Sequence, residues 1–256
     1  MPLKKLMDII HTEREVPLNF KSGVITPILK KNKAKHLPDN HRRITVAATT
    51  GKVLEKLVNP TIENSMETKQ SIMQRGFTCG SSSSNAALLY TEALAEAADQ
   101  GVPLYTTMLD ASKAFDVVAH ENLLVDLFDH GVEGTHWSIM QDWYKGITSQ
   151  VKWGRVLSRP ISEQMGLRQG GGLSTGQYKT YTNKNLISQE QFNLGFSVGT
   201  QYIGCPTCAD DTALVHNNSI DMQTAIHLCD NFARKQRFEY SKSKTKILVH
   251  SNTKTL

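Results

Sequence analysis

The chain has 256 residues, 39% hydrophobic and 21% charged, which supplies a sizeable core in one large or two small domains and excludes global disorder. Its 29 basic against 24 acidic residues leave a net charge of +5, a mild excess that alone barely favours a polyanionic partner. No apolar run approaches the ~18 residues of a membrane span. Residues 1–10 carry Asp8 inside their short apolar stretch and lack a small-residue cleavage site, so an intracellular chain, nuclear or cytoplasmic, is expected.

In chain order the first feature is basic. Lys30, Lys31, Lys33, Lys35, Arg42 and Arg43 put six positive charges into 14 residues, and residues 234–254 form a second basic stretch. Such runs are most often solvated faces and gain meaning only beside a chemical site. Four serines at 81–84 precede Ala86, Leu89, Ala93 and Ala97 at helical spacing, and Gly101 follows, which predicts a helix over 85–100. The serines suit capping, and a helix N-terminus also receives phosphate. Residues 104–109 are β-prone and end at Asp110. Leu123, Leu124, Leu127 and Phe128 before Gly131 predict an amphipathic helix over 120–130.

Residues 150–156 alternate apolar with polar and read as one strand, after which 166–172 is rich in glycine. Tyr178, Tyr181 and Leu186 fall near one face of a helix starting at Ser174. Residues 202–208 and 212–215 predict two strands of a hairpin with Asp210 and Asp211 at its tip. Met222, Ile226, Cys229, Phe232 and Ala233 mark another helix, and 247–249 a last short strand. Mixed strands and helices with hairpin signals place the chain in the α+β class.

Four cysteines, Cys79, Cys205, Cys208 and Cys229, are too few for a disulfide scaffold of this size. Cys205-Pro206-Thr207-Cys208 is a CxxC without a second pair, which reads as ordinary buried thiols before it reads as zinc or redox chemistry.

The acids are more informative. Asp110 ends a strand, while Asp210 and Asp211 sit in a turn, where aspartate is common because it bonds its own backbone. If the strand ending at Asp110 lies beside that hairpin, Asp110 and Asp210 share a volume in which two carboxylates would repel. Divalent cations relieve this, and Mg²⁺ is held by one or two carboxylates plus substrate phosphates. Phosphoryl or nucleotidyl transfer is the chemistry such a pair suggests. Gly51-Lys52 lacks the upstream glycine of a P-loop, and neither a dinucleotide fingerprint nor a Gly-x-Ser-x-Gly elbow occurs.

The ordered segments resemble a known family. Leu109-Asp110-Ala111-Ser112-Lys113-Ala114-Phe115-Asp116 is similar to motif A of the reverse transcriptases of non-LTR (LINE-like) retrotransposons. Gly166-Leu167-Arg168-Gln169-Gly170-Gly171-Gly172-Leu173-Ser174 resembles their motif B, and Ala209-Asp210-Asp211 motif C. Upstream, residues 23–31, His41-Arg42-Arg43-Ile44, residues 52–56 and Gln74-Arg75-Gly76-Phe77 resemble the fingers blocks; Ser243-Lys244-Thr245-Lys246 resembles the lysine block of motif D. The likeness runs from about residue 17 to 249.

The resemblance implies an α+β right-hand polymerase with fingers and palm: a fingers-like region at 1–103, and a palm at 104–256 with a fingers-like insertion at about 134–165. It implies RNA-directed DNA synthesis from dNTPs on an RNA template with a DNA primer, with two Mg²⁺ (or Mn²⁺) ions held by Asp110, Asp210, Asp211 and the carbonyl of Ala111. By the same likeness Phe115 is the steric gate under the sugar, Arg42 grips the triphosphate with Lys30 or Lys31, Gln169 and Gly170 form the motif B turn, and Lys244 serves the leaving pyrophosphate. By residue type alone Phe115 reads as a core aromatic and Lys244 as a solvated lysine.

Departures from the pattern are Cys208 for an aromatic before Ala-Asp-Asp, Arg43 for a proline, Gly171-Gly172 and Thr175 for the usual serine and prolines of motif B, and Ser241 for an asparagine. No segment resembling a thumb is visible. The alternative is a catalytically inactive, decayed copy that only binds nucleic acid.

Overall fold

The computed structural model describes residues 2–251. Helix α1 (Pro2–Glu13) and the single turn α2 (Leu18–Lys21) lead into β1 (Ser22–Leu29) and β2 (His41–Ala47). Two long helices follow, α3 (Thr49–Glu67) and α4 (Ser83–Asp99). Next come β3 (Leu104–Asp110), α5 (His120–Asp129), α6 (Gly134–Tyr144), β4 (Thr148–Trp153), β5 (Val156–Leu157) and β6 (Ile161–Ser162). The remaining elements are α7 (Ser174–Gln191), β7 (Ser197–Val198), β8 (Gln201–Tyr202), β9 (Thr207–Cys208), β10 (Asp211–His216), α8 (Ser219–Lys235) and β11 (Lys246–His250). Lys254, in the basic tail, lies outside the described residues. No helix among the described residues is long and apolar enough to cross a membrane.

Packing divides the chain into two compact units that are each discontinuous in sequence: residues up to 69 with 115–181, and 70–114 with residues from 182 onward. Helix α4 belongs with β3 in the second unit. In the first unit β2 and β1 form an antiparallel hairpin, with Leu29 opposite His41 and Gly23 opposite Ala47. β1 also pairs in parallel with β4, Ser22 opposite Thr148. That junction is stapled by the buried Arg168, whose guanidinium donates to the carbonyls of Lys21 and Thr148 and pairs with Glu163. Helix α3 buries Leu54, Val58, Ile62 and Met66, a stripe repeating every four residues.

The second unit is a four-stranded antiparallel sheet, β11-β3-β10-β9. Met73, Leu109, Leu186, Leu214, Met222 and Cys229 pack into one core cluster, while Ala93, Ala97, Leu104, Phe196 and Val215 form another. Asn218 caps α8, its side chain accepting from the Asp221 N–H.

Two predicted strands are broken. The run 150–156 is two strands, because Gly154 takes φ +60° and turns the chain between β4 and β5. The run 202–208 is strand only at its ends, in β8 and β9, and between them the Gly204 and Pro206 carbonyls accept from the Val215 and Ala213 N–H groups.

One group in the sheet makes stability pH-dependent. His216 at the end of β10 is 1% exposed, and its Nε2 has no hydrogen-bond partner among the described residues. Burial pushes its imidazole down to about 4, so an unfolded chain takes the proton near the ordinary 6.5 while the fold resists until about 4. Stability is therefore expected to fall as pH drops from about 6.5 towards 4. Thermal melts of His216→Leu beside wild type across that window should show a flatter dependence in the variant.

Candidate functional site

The register of the sheet brings the acids together. Asp110 is the last residue of β3 and lies directly opposite Asp211, the first residue of β10. Asp211 in turn pairs with Cys208 of β9, leaving Ala209 and Asp210 as a two-residue turn. Ala209 takes φ +61°, a left-handed conformation that costs an L-residue roughly 1–2 kcal/mol and that hairpins usually give to glycine. Asp210, not Asp211, is thus the residue at the apex, one position beyond the ladder.

That strained turn is held from one side by a segment distant in sequence. Residues 73–75 run alongside β9, with the Arg75 N–H donating to the Thr207 carbonyl (2.8 Å) and the Thr207 N–H to that of Met73 (2.9 Å). The buried Gln74 amide then clamps the turn at both main-chain groups. Its Nε2 donates to the Ala209 carbonyl (3.1 Å), and its Oε1 accepts from the N–H of Ala209 (3.0 Å) and of Gly76 (2.8 Å). Gly76 is there because a Cβ would sit 2.0 Å from the Ala209 nitrogen.

The charges respond to one another. Burial raises the Asp210 carboxyl above its ordinary value, and the neighbouring Asp211 and Asp110 add to this, while Lys244 opposes it. Lys244 reaches Asp110 because residues 239–241 pair with the end of β3. The Ser112 N–H donates to the Glu239 carbonyl and the Ser241 N–H to that of Asp110 (2.9 and 2.8 Å), and a turn at Ser241 follows. Lys244 Nζ then lies 3.0 and 2.9 Å from the two Asp110 carboxylate oxygens. Ala111 forms an isolated bridge with Tyr240 in the same place. Among the described residues no group of three or more acid, His or Cys side chains gathers into a ready metal cluster. The hard oxygen donors in this place are the carboxylates of Asp110 at the end of β3 and of Asp210 and Asp211 at the turn.

The other sequence-predicted residues belong to the first unit. Arg42 is exposed on β2 opposite Ile28, and Lys30 Nζ donates to the Asp39 carbonyl (2.9 Å) in the loop that also carries exposed Lys31. Gln169 pairs with β2, its carbonyl accepting from the Thr45 N–H (2.9 Å), and Gly170 beside it takes φ +100°. Phe115 stacks on the buried Tyr178, with ring centroids 4.7 Å apart and planes 13° from parallel. Arg43 forms an ion pair with Asp116 (2.9 Å). Gly171 and Gly172 have close neighbours: a Cβ would meet Ser174 Oγ at 2.7 Å in the first and Glu55 at 3.1 Å in the second. The buried Glu55 accepts the Gly172 N–H, and desolvation raises its carboxyl.

The thiols of the CxxC do not face this chemistry alike. Cys205 is buried and its thiol is pushed up to about 12, which keeps it protonated and inert. Cys208 is half-buried, and burial with the charges of Asp211 and Asp210 pushes its thiol up as well.

Gln74, Arg168 and Asp116 lie inside the motif blocks, but the sequence assigns none of them a role. Each is a polar residue whose partners are far away in the chain, so no local periodicity marks it.

Comparison with known proteins follows this geometry. The family model described as reverse transcriptase (RNA-dependent DNA polymerase) matches residues 28–256. The retrovirus-related Pol polyprotein from the type-1 retrotransposable element R2 of Popillia japonica is 24% identical over 82% of this chain and 29% of its own length. An uncharacterized 149 kDa protein of transposon TX1 from Xenopus laevis is 23% identical over 94% of this chain and 18% of its own. The chain therefore spans less than a third of the length of these curated relatives. Among solved structures, telomerase from Candida tropicalis in complex with a TWJ fragment of telomeric RNA superposes with a TM-score of 0.66 at 12% identity, covering 97% of this chain and 45% of that one. The corresponding telomerase complex from Candida albicans gives 0.63, also at 12% identity, over 94% and 44%. These likenesses show the fold, an α+β assembly shared with the polymerase portion of reverse transcriptases.

Proposed function

The chain belongs to the reverse transcriptase (RNA-dependent DNA polymerase) family, of the non-LTR retrotransposon kind, and from that premise we propose that it carries out template-directed nucleotidyl transfer from a dNTP to a primer 3′-hydroxyl. The observation that carries this is the register placing Asp110 opposite Asp211, with Asp210 at the adjoining apex. In this reading 104–256 supplies the palm, with a fingers-like insertion at about 134–165, and 1–103 the fingers-like region. An RNA template and a DNA primer are the polymeric partners.

Reverse transcriptases as a family use divalent metals. Two Mg²⁺ or Mn²⁺ ions held by Asp110, Asp210 and the Ala111 carbonyl, with Asp211 in support, would activate the primer oxygen and neutralise charge on the phosphates. The remaining work belongs to side chains. Arg42, with Lys31 and Lys30 near the hairpin loop, presents a planar, always-charged donor to the triphosphate. Phe115, braced by Tyr178, lies under the sugar and excludes a 2′-hydroxyl. Gln169 and Gly170 offer main chain to template and nucleotide. Lys244 holds Asp110 until substrate enters and then gives its proton to the departing pyrophosphate.

Lys244 therefore has a double signature. Lys244→Met removes an ammonium that favours ionised Asp210, so that carboxyl moves further up and the acid limb of the pH–rate profile moves to higher pH. The maximal rate should fall about a hundredfold through loss of the proton donor. Single-nucleotide incorporation measured from pH 6 to 9 checks both.

The function itself is tested by primer extension on an RNA template with dNTPs and Mg²⁺ or Mn²⁺, wild type beside Asp210→Asn. Extension by wild type alone supports the reading. Salt-sensitive nucleic-acid binding with no extension by either protein would favour the inactive alternative.

A further inference from the structure

Motif A does not end at its metal-binding aspartate. Two residues of the first unit, Phe115 and Asp116, follow it, and this short segment is gripped on three sides within that unit. Behind it, the Leu167 N–H donates to the Phe115 carbonyl (2.6 Å) and the Gly166 N–H to the Val118 carbonyl (2.8 Å). Gly166 takes φ +95° and lies so close that a Cβ would sit 2.9 Å from the Asp116 carbonyl oxygen. Beneath the ring, Tyr178 stacks nearly parallel. The third grip is a charge: Arg43 Nη2 lies 2.9 Å from Asp116 Oδ2, with the carboxylate side chain 19% exposed and the arginine 52%.

Arg43 also sits in the one stretch of β2 that is tied to the motif B turn. Its neighbours Ile44 and Thr45 pair with Gln169, so the strand that carries Arg43 is fixed relative to residues 166–169. The same short segment, 166–169, fixes Phe115 from behind. Arg43 therefore closes a ring: β2 to Gln169, Gly166 and Leu167 to Phe115, Asp116 back to Arg43.

We propose that Arg43 is a positioning residue for sugar selection, holding Asp116 so that the ring of Phe115 stands where it meets the 2′ position of the incoming nucleotide. This deepens the steric-gate reading of Phe115 and rests on it. Arg43 is thereby distinguished from its neighbour Arg42: the first is committed to a carboxylate of its own chain, the second faces solvent on the opposite side of the strand. A lysine at 43 keeps the charge but not the planar fork, so it substitutes only in part.

The test is the ratio of dNTP to matching rNTP incorporation on one primer–template. A half-exposed ion pair has a coupling that translates to about two- to fivefold, and the ratio is expected to drop by that amount in Arg43→Ala and equally in Asp116→Asn. The double variant should be no worse than either single one. The reversed pair, Arg43→Asp with Asp116→Arg, should recover part of the loss. Phe115→Val serves as the control: if it relaxes selection while Arg43→Ala and Asp116→Asn do not, the positioning role is overturned and the gate stands. If Phe115→Val leaves selection unchanged, the gate reading falls and this proposal with it. Amide hydrogen exchange over residues 115–118 reads the positioning without turnover. Exchange several-fold faster in Arg43→Ala is expected, and unchanged exchange would overturn the proposal.

Discussion

Asp210→Asn is expected to abolish nucleotide addition, by about a thousandfold or more, while making the metal-free protein more stable. The first effect follows from the ligand set. In the proposed site, replacing one of two carboxylates by an amide removes a full charge from the pair that would hold the cations, whose several kcal/mol of transition-state stabilisation count tenfold in rate for each 1.36 kcal/mol. The second follows from the sign of the perturbation. Burial and the charges of Asp211 and Asp110 raise the Asp210 carboxyl above its unfolded value. Its favourable contribution is present only where it is protonated, below the unfolded value near 3.8, and is lost as pH rises through the folded value. At neutral pH the charged side chain strains the fold, and an isosteric neutral amide relieves it. Thermal melts without metal should show Asp210→Asn above wild type at pH 7 and the difference shrinking towards pH 4. A variant that melts lower at pH 7 would mean that the hydrogen bond from the Asp210 N–H to its own carboxylate, together with Lys244, outweighs burial and the two acids. The site would then be a structural ion-pair network, not one poised for cations.

The strands that carry the acids are readable in the sequence because their signals are local. Residues 104–109 run into an acid and the acids at 210–211 sit at a turn, while their pairing is a supposition in the sequence and comes from the register of the sheet. The spacing of Met222, Cys229 and Ala233 likewise gave α8, whose buried face is those residues. What stayed hidden had competing signals. Helix α3 buries a regular stripe, yet Pro60 within it lacks the donor of a helix interior and argues against a helix. The β1–β2 hairpin contains Pro27 opposite Arg43 and strands exposed on much of their surface, so neither shows clean alternation. Helix α7 buries Gln177, Lys179, Thr180, Asn183, Asn185 and Gln189, which erases the apolar stripe that would announce its full extent. In the site, residue types and order pointed to Asp110, Asp210 and Lys244, and the register brought them together. Gln74, which clamps the turn before Asp210, is paired with it across 135 residues, a distance at which no spacing rule speaks.

Gly76→Ala should cost activity heavily, though less than loss of a carboxylate, through geometry alone. Its new methyl would fall 2.0 Å from the Ala209 nitrogen, 2.7 Å from the Ala209 Cα and 2.9 Å from the Cys208 carbonyl carbon, all main-chain atoms that no rotamer can move aside. The turn must shift by about an ångström, a displacement that costs about a hundredfold in rate when the reacting groups depend on it. Overpacking adds a stability loss of about 1–3 kcal/mol. Gln74 separates position from packing. Gln74→Glu keeps the acceptor for the Ala209 and Gly76 N–H groups but loses the donor to the Ala209 carbonyl, whereas Gln74→Ala loses all three bonds. Each buried main-chain group left unpaired costs about 1–3 kcal/mol, and a buried carboxylate facing the Ala209 carbonyl adds its own desolvation penalty, so both variants should melt lower than wild type. Because the amide holds both sides of a turn whose first residue is strained at φ +61°, turnover should fall in both, with nucleotide KM little changed. Steady-state single-nucleotide incorporation, read as separate maximal rate and KM, decides it. A Gly76→Ala protein that folds and keeps its maximal rate within about threefold would show that Asp210 finds its place without the clamp, and the burden would pass to the pairing of Asp211 with Asp110.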